Sequence, residues 1–564
     1  MNLLRRFRRP ASGLLRTGFG WVWLISMGVC PTASHANPAT ASPHPAPPAT
    51  TRKFEVTWSA QLAASNTSGR LFVILNPRLE ATEPRLLMGE TGLDALPFVA
   101  RDVQSFSSGD AVDLHREHAC FPLASLDHLP PGTYQVQALL TTNRDLRLPN
   151  APGGFVSTPL SVTLGTNPGP PVRLTLDRQL PPETVPADTD SIRYLKIRSR
   201  LLSEFHGRPM FLRAAVVLPR SFDTDSSRRY PLLVMIGGFG QRYTSVTNEL
   251  APGGRLAPGL RSGPEFLLLQ LDGAGPWGDP YQINSANNGP YGDALVQELI
   301  PYVEQVFRGS GQPHARLLTG GSTGGWVSLA LQIFYPDFFG GCWSGFPDSP
   351  DFHAFQLVNL YAETNAYVNP AGFERPSKRQ LNGDVGFTMR HEVQLENALG
   401  TGDRFTTSGG QWGSWAAVYG PTNHDGTPPP PWDPRTGTID PSVVQAWQNY
   451  DLTRLLDRYW TNLAPRLDGK IHAWVGTADD YFLDGGLHRL ADLIAKRQPT
   501  MAASFHFEPS VGHGWNPKPF SGLLEEMNAS IEAHAPKNAE EAREALMRAK
   551  MGHGVACPHC RGGR

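Results

Sequence analysis

From about residue 190 to 536 the chain alternates uninterrupted apolar runs with helical patterns, and this limits its fold more than any other feature. The runs "YPLLVMIGG", "EFLLLQLDG", "ARLLTGGS", "KIHAWVGTADD" and "ASFHFEPS" read as strands too apolar to have one wet face. Such strands need cover on both sides, which helices packed on a parallel sheet provide. The stretches between them, "DALVQELIPYVEQVF", "GWVSLALQIFY" and "GLHRLADLIAKR", have helical spacing. Ahead of them, "SIRYLKIRSRLL" and "PMFLRAAVVLP" read as a strand pair. Together these predict an open α/β sheet, in which functional groups collect at the carboxyl ends of the strands.

At one such end stands Gly320-Gly321-Ser322-Thr323-Gly324, between the strand "ARLLTG" and a helix expected to begin near Thr323. Gly-x-Ser-x-Gly in a plain loop is only a cluster of small residues. On a strand-to-helix turn it is a nucleophile elbow, because the serine backbone is strained there and side chains beside it would collide with the strand and helix. The helix also points its unpaired N–H groups and positive dipole end at the serine oxygen.

A serine hydroxyl attacks only when a base takes its proton and an acid orients that base. In this fold class the order along the chain is serine, acid, histidine. His513, in "FHFEPSVGHGWNPKPF", falls in a glycine-flanked loop between the last apolar strand and the last core helix. His506 alternates within that strand, His488 sits in a helical pattern, and His534 and His553 belong to the final helix and tail. Gly476 ends the strand before "TADDYFLDGG", which places Asp479 and Asp480 as candidate acids. Asp479 suits a Gly-x-x-Asp placement, Asp480 reads as a cap or solvated neighbour, and Asp484 as the N-cap of the next helix. Two N–H groups are also needed for a developing oxyanion. Thr323 supplies one, and Gly238 or Phe239 in "GGFGQRY" supplies the other unless those glycines only make a tight turn.

From Lys53 to Arg178 the pattern differs. Short runs such as "KFEVTWSAQ", "GRLFVILN", "GTYQVQALL" and "PVRLTLD", broken by Gly, Pro and Asn, predict a smaller all-β sandwich of immunoglobulin-like type. It displays no convergent polar set, so packing or shaping the entrance to the next domain is the plain expectation, with carbohydrate binding as the alternative. The expected organisation is a signal peptide over 1–36, a linker over 37–52, the β-sandwich over 53–178, the α/β domain over 190–536 and a tail over 537–564.

The amino terminus, arginine-rich and then apolar over Gly18–Val29 with small residues ending at Ala36, reads as a secretory signal with cleavage before Asn37. Its apolar run is too short to cross a bilayer, and Cys30 follows a poor lipidation context. The chain is therefore expected to be secreted or periplasmic. Lys+Arg 50 against Asp+Glu 51 gives no electrostatic reason for nucleic acid or an anionic membrane as partner. Cys557 and Cys560, in "ACPHCRGGR", lack the context of a redox or zinc pair and read as a local disulfide or a disordered end.

The stretch "AVVLPRSF...YPLLVMIGGFG...NSANNGPYGDALVQELIPYVEQVFR...LLTGGSTGGWVSLALQIFYPDFF", with "GTADDYF" and "GHGW" after it, resembles the putative esterase family over roughly Arg213 to His534. That family includes S-formylglutathione hydrolase, feruloyl esterase and enterochelin esterase types. The resemblance implies an α/β-hydrolase fold, a Ser322, Asp479, His513 triad and no metal or organic cofactor. It implies as substrate a small-molecule or carbohydrate-linked ester, cleaved through an acyl-enzyme. A peptidase of similar fold and a non-catalytic extracellular binding protein are the alternatives. The chain departs from simpler members in its β-domain and in an insertion at about 347–467, which holds Trp412, Trp415, Trp432, Trp447 and Trp460. Those aromatics either line a substrate cleft or give the insertion its own core.

Overall fold

In the computed structural model, which describes residues 52–62, 66–79, 82–167 and 169–551, the apolar runs form one eight-stranded sheet. Its spatial order is Ile192–Ser199, Met210–Val217, Leu267–Leu271, Leu232–Ile236, Arg316–Gly321, Gly341–Gly345, Ile471–Gly476 and Ala503–Glu508. Met210–Val217 runs antiparallel to both neighbours, and the pairs from Leu267–Leu271 onward are parallel. The sheet is thus mixed rather than wholly parallel, and it is that of an α/β-hydrolase.

The inner strands Leu232–Ile236, Leu267–Leu271 and Gly341–Gly345 are buried at every position. Two cores account for this. Leu232, Val234 and Ile236 face one, and Leu233 and Met235 face the other. The pattern "DALVQELIPYVEQVF" becomes a helical stretch over 291–306 with a π-turn at Leu295–Leu299. Pro301 follows that turn, and a residue without an N–H accounts for the loosened ladder. Asp484 is the first residue of helix Asp484–Lys496, and Leu483 takes the cap position expected of Asp484. An acid in that first turn still complements the positive end of the helix.

Residues 54–179 form a separate nine-stranded sheet. Phe54–Trp58 pairs parallel with Val172–Gln179, and the remaining pairs are antiparallel. On its central strand Thr67–Asn76, Leu71, Val73 and Leu75 point into the core of the β-domain. Phe72 and Ile74 point the other way, into a cluster that includes Leu395 and Ala398 of the insertion helix Met389–Leu399. Arg70 crosses the same boundary and donates to Ala398 O at 2.8 Å. "GRLFVILN" is therefore apolar because both its faces are covered.

The insertion also packs on the hydrolase core. Trp412, Trp415, Trp432, Trp447 and Trp460 are all buried. Trp412 contacts Trp415 and Trp432 with ring centroids 4.7 and 5.1 Å apart, and Tyr419 joins Trp447 to Trp326 on the helix Thr323–Phe334. All five thus belong to one core continuous with that helix, and Trp460 also donates to Pro499 O. Trp415 also forms part of a cavity wall. The expected signal segment lies outside the described residues, as do Cys557 and Cys560. Among the described residues no helix is long and apolar enough to cross a membrane.

Candidate active site

Ser322 stands between the strand Arg316–Gly321 and the helix Thr323–Phe334, at φ 59° and ψ −125°. A non-glycine residue holds such a backbone only when its surroundings impose it. Here they do: Ser322 N–H donates to Gly345 O at 3.1 Å, and Ser322 O accepts from Trp326 N–H and Asp348 N–H. The flanking glycines are needed for space. A Cβ on Gly320 would sit 2.4 Å from Gly324 O, and one on Gly324 would sit 2.2 Å from Ile236 O.

His513 lies in the loop after the last strand. Its Nδ1 is 2.8 Å from Asp479 Oδ2. Asp479 is fully buried, and its second oxygen accepts from Tyr481 N–H and Leu483 N–H, so the carboxylate is fixed in place. The His513 ring is held edge-on by Phe346 and Tyr481, at 4.7 and 5.0 Å between centroids. Asp480 is more than a solvated neighbour, because its Oδ1 accepts the His513 backbone N–H at 3.1 Å. The two adjacent acids therefore divide the histidine, one holding the ring and the other the backbone. The insertion hairpin Pro376–Arg379/Val385–Thr388 braces this loop: Arg379 donates from Nε to Asp479 O and from its backbone to Asp480 O.

Ser322, His513, Gly238 and Phe239 all line one cavity of about 830 Å³. Among the candidate oxyanion donors, Thr323 N–H begins its helix, where N–H groups lack intrahelical partners. Gly238 N–H is taken by Gln241 Oε1 at 3.2 Å, and Gly240 N–H by Asp279 Oδ2 at 3.0 Å. Phe239 N–H has no partner among the described residues, which separates it from Gly238.

Sequence reasoning passed over two buried acids here. Asp348, three residues beyond the strand Gly341–Gly345, uses one oxygen to accept from Tyr281 OH at 2.7 Å, Thr323 Oγ1 at 3.0 Å, Trp415 Nε1 at 3.3 Å and Gln411 Nε2 at 3.4 Å. It ties the start of the elbow helix to the insertion, and burial raises its carboxyl above the usual range. Asp279 holds the loop of Phe239 through Gly240 and also accepts Tyr281 N–H. Burial pushes its carboxyl up to about 7. "GFPDSPDF" and "PWGDPYQIN" do show an acid beside turn residues, but not the partners, which come from distant segments.

The sign of the Asp279 effect follows from linkage. Between about pH 4 and 7 the native state keeps a proton that the unfolded chain has released. The contribution of Asp279 to stability is thus full below about pH 4 and is lost as the pH rises through 7. Relative to Asp279→Asn, wild type is expected to lose about 1.4 kcal/mol per pH unit across that range, about 4 kcal/mol in all. Denaturant midpoints of the two proteins over a pH series check this, and a constant difference would contradict it.

Residues 270–509 match a family model described as putative esterase. The match spans Ser322 and Asp479 and ends four residues before His513. No curated protein sequence matches. Similar solved structures include a ferulic acid esterase at 14% identity, covering 60% of this chain and 98% of that one, with TM-score 0.32. An S-formylglutathione hydrolase from Agrobacterium tumefaciens is 12% identical, covering 62% and 98%, with TM-score 0.33. An esterase from Pyrobaculum calidifontis is 16% identical, covering 62% and 86%, with TM-score 0.33.

Proposed function

With residues 270–509 matching the putative esterase family, we propose that this chain is a serine hydrolase that cleaves carboxylic esters through an acyl-enzyme. Ser322 Oγ attacks the ester carbonyl while His513 Nε2 takes its proton. Asp479 holds Nδ1–H and steadies the imidazolium that results. The negative charge on the carbonyl oxygen is received by Thr323 N–H and Phe239 N–H. Collapse of the tetrahedral intermediate breaks the bond to the alcohol, which leaves with the proton from His513. Water, deprotonated by His513, then releases the acid and restores the serine.

One observation carries this reading: a positive-φ serine at a strand-to-helix turn shares a cavity with a histidine whose far nitrogen is 2.8 Å from a buried aspartate. In the same proposal the protein is secreted or periplasmic and its amino-terminal β-domain is an immunoglobulin-like sandwich. A fluorophosphonate probe tests the chemistry. Wild type is expected to be phosphonylated on Ser322, as read by peptide mass, with loss of ester turnover in step with labelling. Turnover that survives full labelling, or the absence of labelling, would refute the mechanism.

A further inference from the structure

The cavity wall is not made by the hydrolase domain alone. Gly89, Thr91, Arg147, Leu148 and Pro149 of the β-domain line it with Ser322 and His513. Arg147 lies between the strands Gly132–Thr141 and Phe155–Ser157, and its backbone N–H donates to Gly275 O at 2.9 Å, which pins this loop to the hydrolase. Its side chain packs on Gly409, where a Cβ would come within 2.4 Å of Arg147 Cγ.

The guanidinium is poorly matched to a purely structural role. Among the described residues its side chain makes one hydrogen bond, to the exposed Thr401 Oγ1 at 3.0 Å, and its Nε is shielded from water without a partner. No carboxylate among the described residues forms an ion pair with it. Asp102, which favours its charge, is already bound to Arg70 at 3.1 Å. A half-buried guanidinium with a shielded, unpartnered Nε and no carboxylate of its own is free to take one, and its planar fork is the group best suited to a carboxylate.

The other charges on the wall leave room for an anion. Arg255 is paired with Glu249. Lys378 has no ion pair among the described residues and lies 5.3 Å over the Tyr481 ring. Glu396 accepts Trp412 N–H, Gly413 N–H and Ser408 Oγ, and Glu392 accepts Ser377 Oγ and Trp412 Nε1. Asp348 is held at the elbow. Gly409, under Arg147, is two residues from Gln411, whose Nε2 reaches Thr323 Oγ1. Arg147 and the reacting serine thus stand on walls of one cavity, joined through Gly409 and Gln411.

We propose that Arg147 forms an anion subsite, so that the esters preferred by this chain carry a carboxylate remote from the scissile carbonyl. The proposal rests on the serine-esterase reading above. Its test compares matched ester pairs by kcat/KM. One arm uses 4-nitrophenyl esters of diacids from succinate to sebacate, each against its methyl-capped neutral counterpart. The other places the carboxylate on the alcohol, with the butyrate of 4-hydroxyphenylacetate against that of its methyl ester.

In at least one arm wild type is expected to favour the charged partner by about tenfold or more. Arg147→Gln should bring that ratio near one, mainly through KM, and Arg147→Lys should retain part of it. A wild-type ratio of one or less throughout would overturn the subsite. So would a ratio unchanged in Arg147→Gln alongside a lower Tm, which would make Arg147 a domain strut. Failure of every ester together with failure of Ser322 to react with fluorophosphonate would instead overturn the underlying esterase reading.

Discussion

Ser322→Ala is expected to lower ester turnover by on the order of 10⁴-fold or more, while the protein unfolds at the same temperature as wild type. On the proposed mechanism the rate should fall because the acyl bond loses its nucleophile, and the proposed Thr323 and Phe239 donors would retain only the part of catalysis that comes from stabilising the oxyanion. Stability should be kept because the backbone of residue 322 is held by Gly345, Trp326 and Asp348 through main-chain atoms, which alanine retains. Steady-state kinetics with a thermal melt decides the matter. A variant retaining a tenth of wild-type activity would remove Ser322 from the role of nucleophile.

Replacing Asp479 by asparagine should cost nearly as much, while the same change at Asp480 should cost little. An amide at 479 turns an N–H toward His513 Nδ1 and favours the tautomer with its proton on Nε2, where it blocks uptake of the serine proton. In serine proteases that change costs about 10⁴ in kcat. Asp480→Asn keeps an oxygen for the His513 backbone N–H, and the ring is untouched. Comparison of kcat for the two variants checks the assignment, and the opposite ranking would move the orienting role to Asp480.

The parts of the site that could be read from sequence are those whose signal is local. Ser322 announces itself because strand, glycines and helix are contiguous, and His513 because few histidines fall between a terminal strand and a terminal helix. Asp348, Tyr281 and Gln411 meet across 67 and 130 residues of chain, and no pattern in their own segments marks the encounter. The choice between Gly238 and Phe239 was equally out of reach, since it depends on which amide Gln241 captures. The same holds for the β-domain. Alternation predicts its strands, but nothing within "GRLFVILN" shows what covers Phe72 and Ile74, because their partners Leu395 and Ala398 come more than 300 residues later.

That last contact bears on how such a chain can be taken apart or altered. A gene trimmed to begin near residue 190 would encode every residue assigned to the chemistry, yet would leave the helix Met389–Leu399 with an apolar stripe against water. The same trimming removes Arg70, which caps that helix near its carboxyl end through Ala398 O, and one wall of the cavity. In design terms the front third of this chain is scaffold rather than appendage. Swapping it for the equivalent piece of another protein would alter the pocket as surely as redesigning the pocket itself.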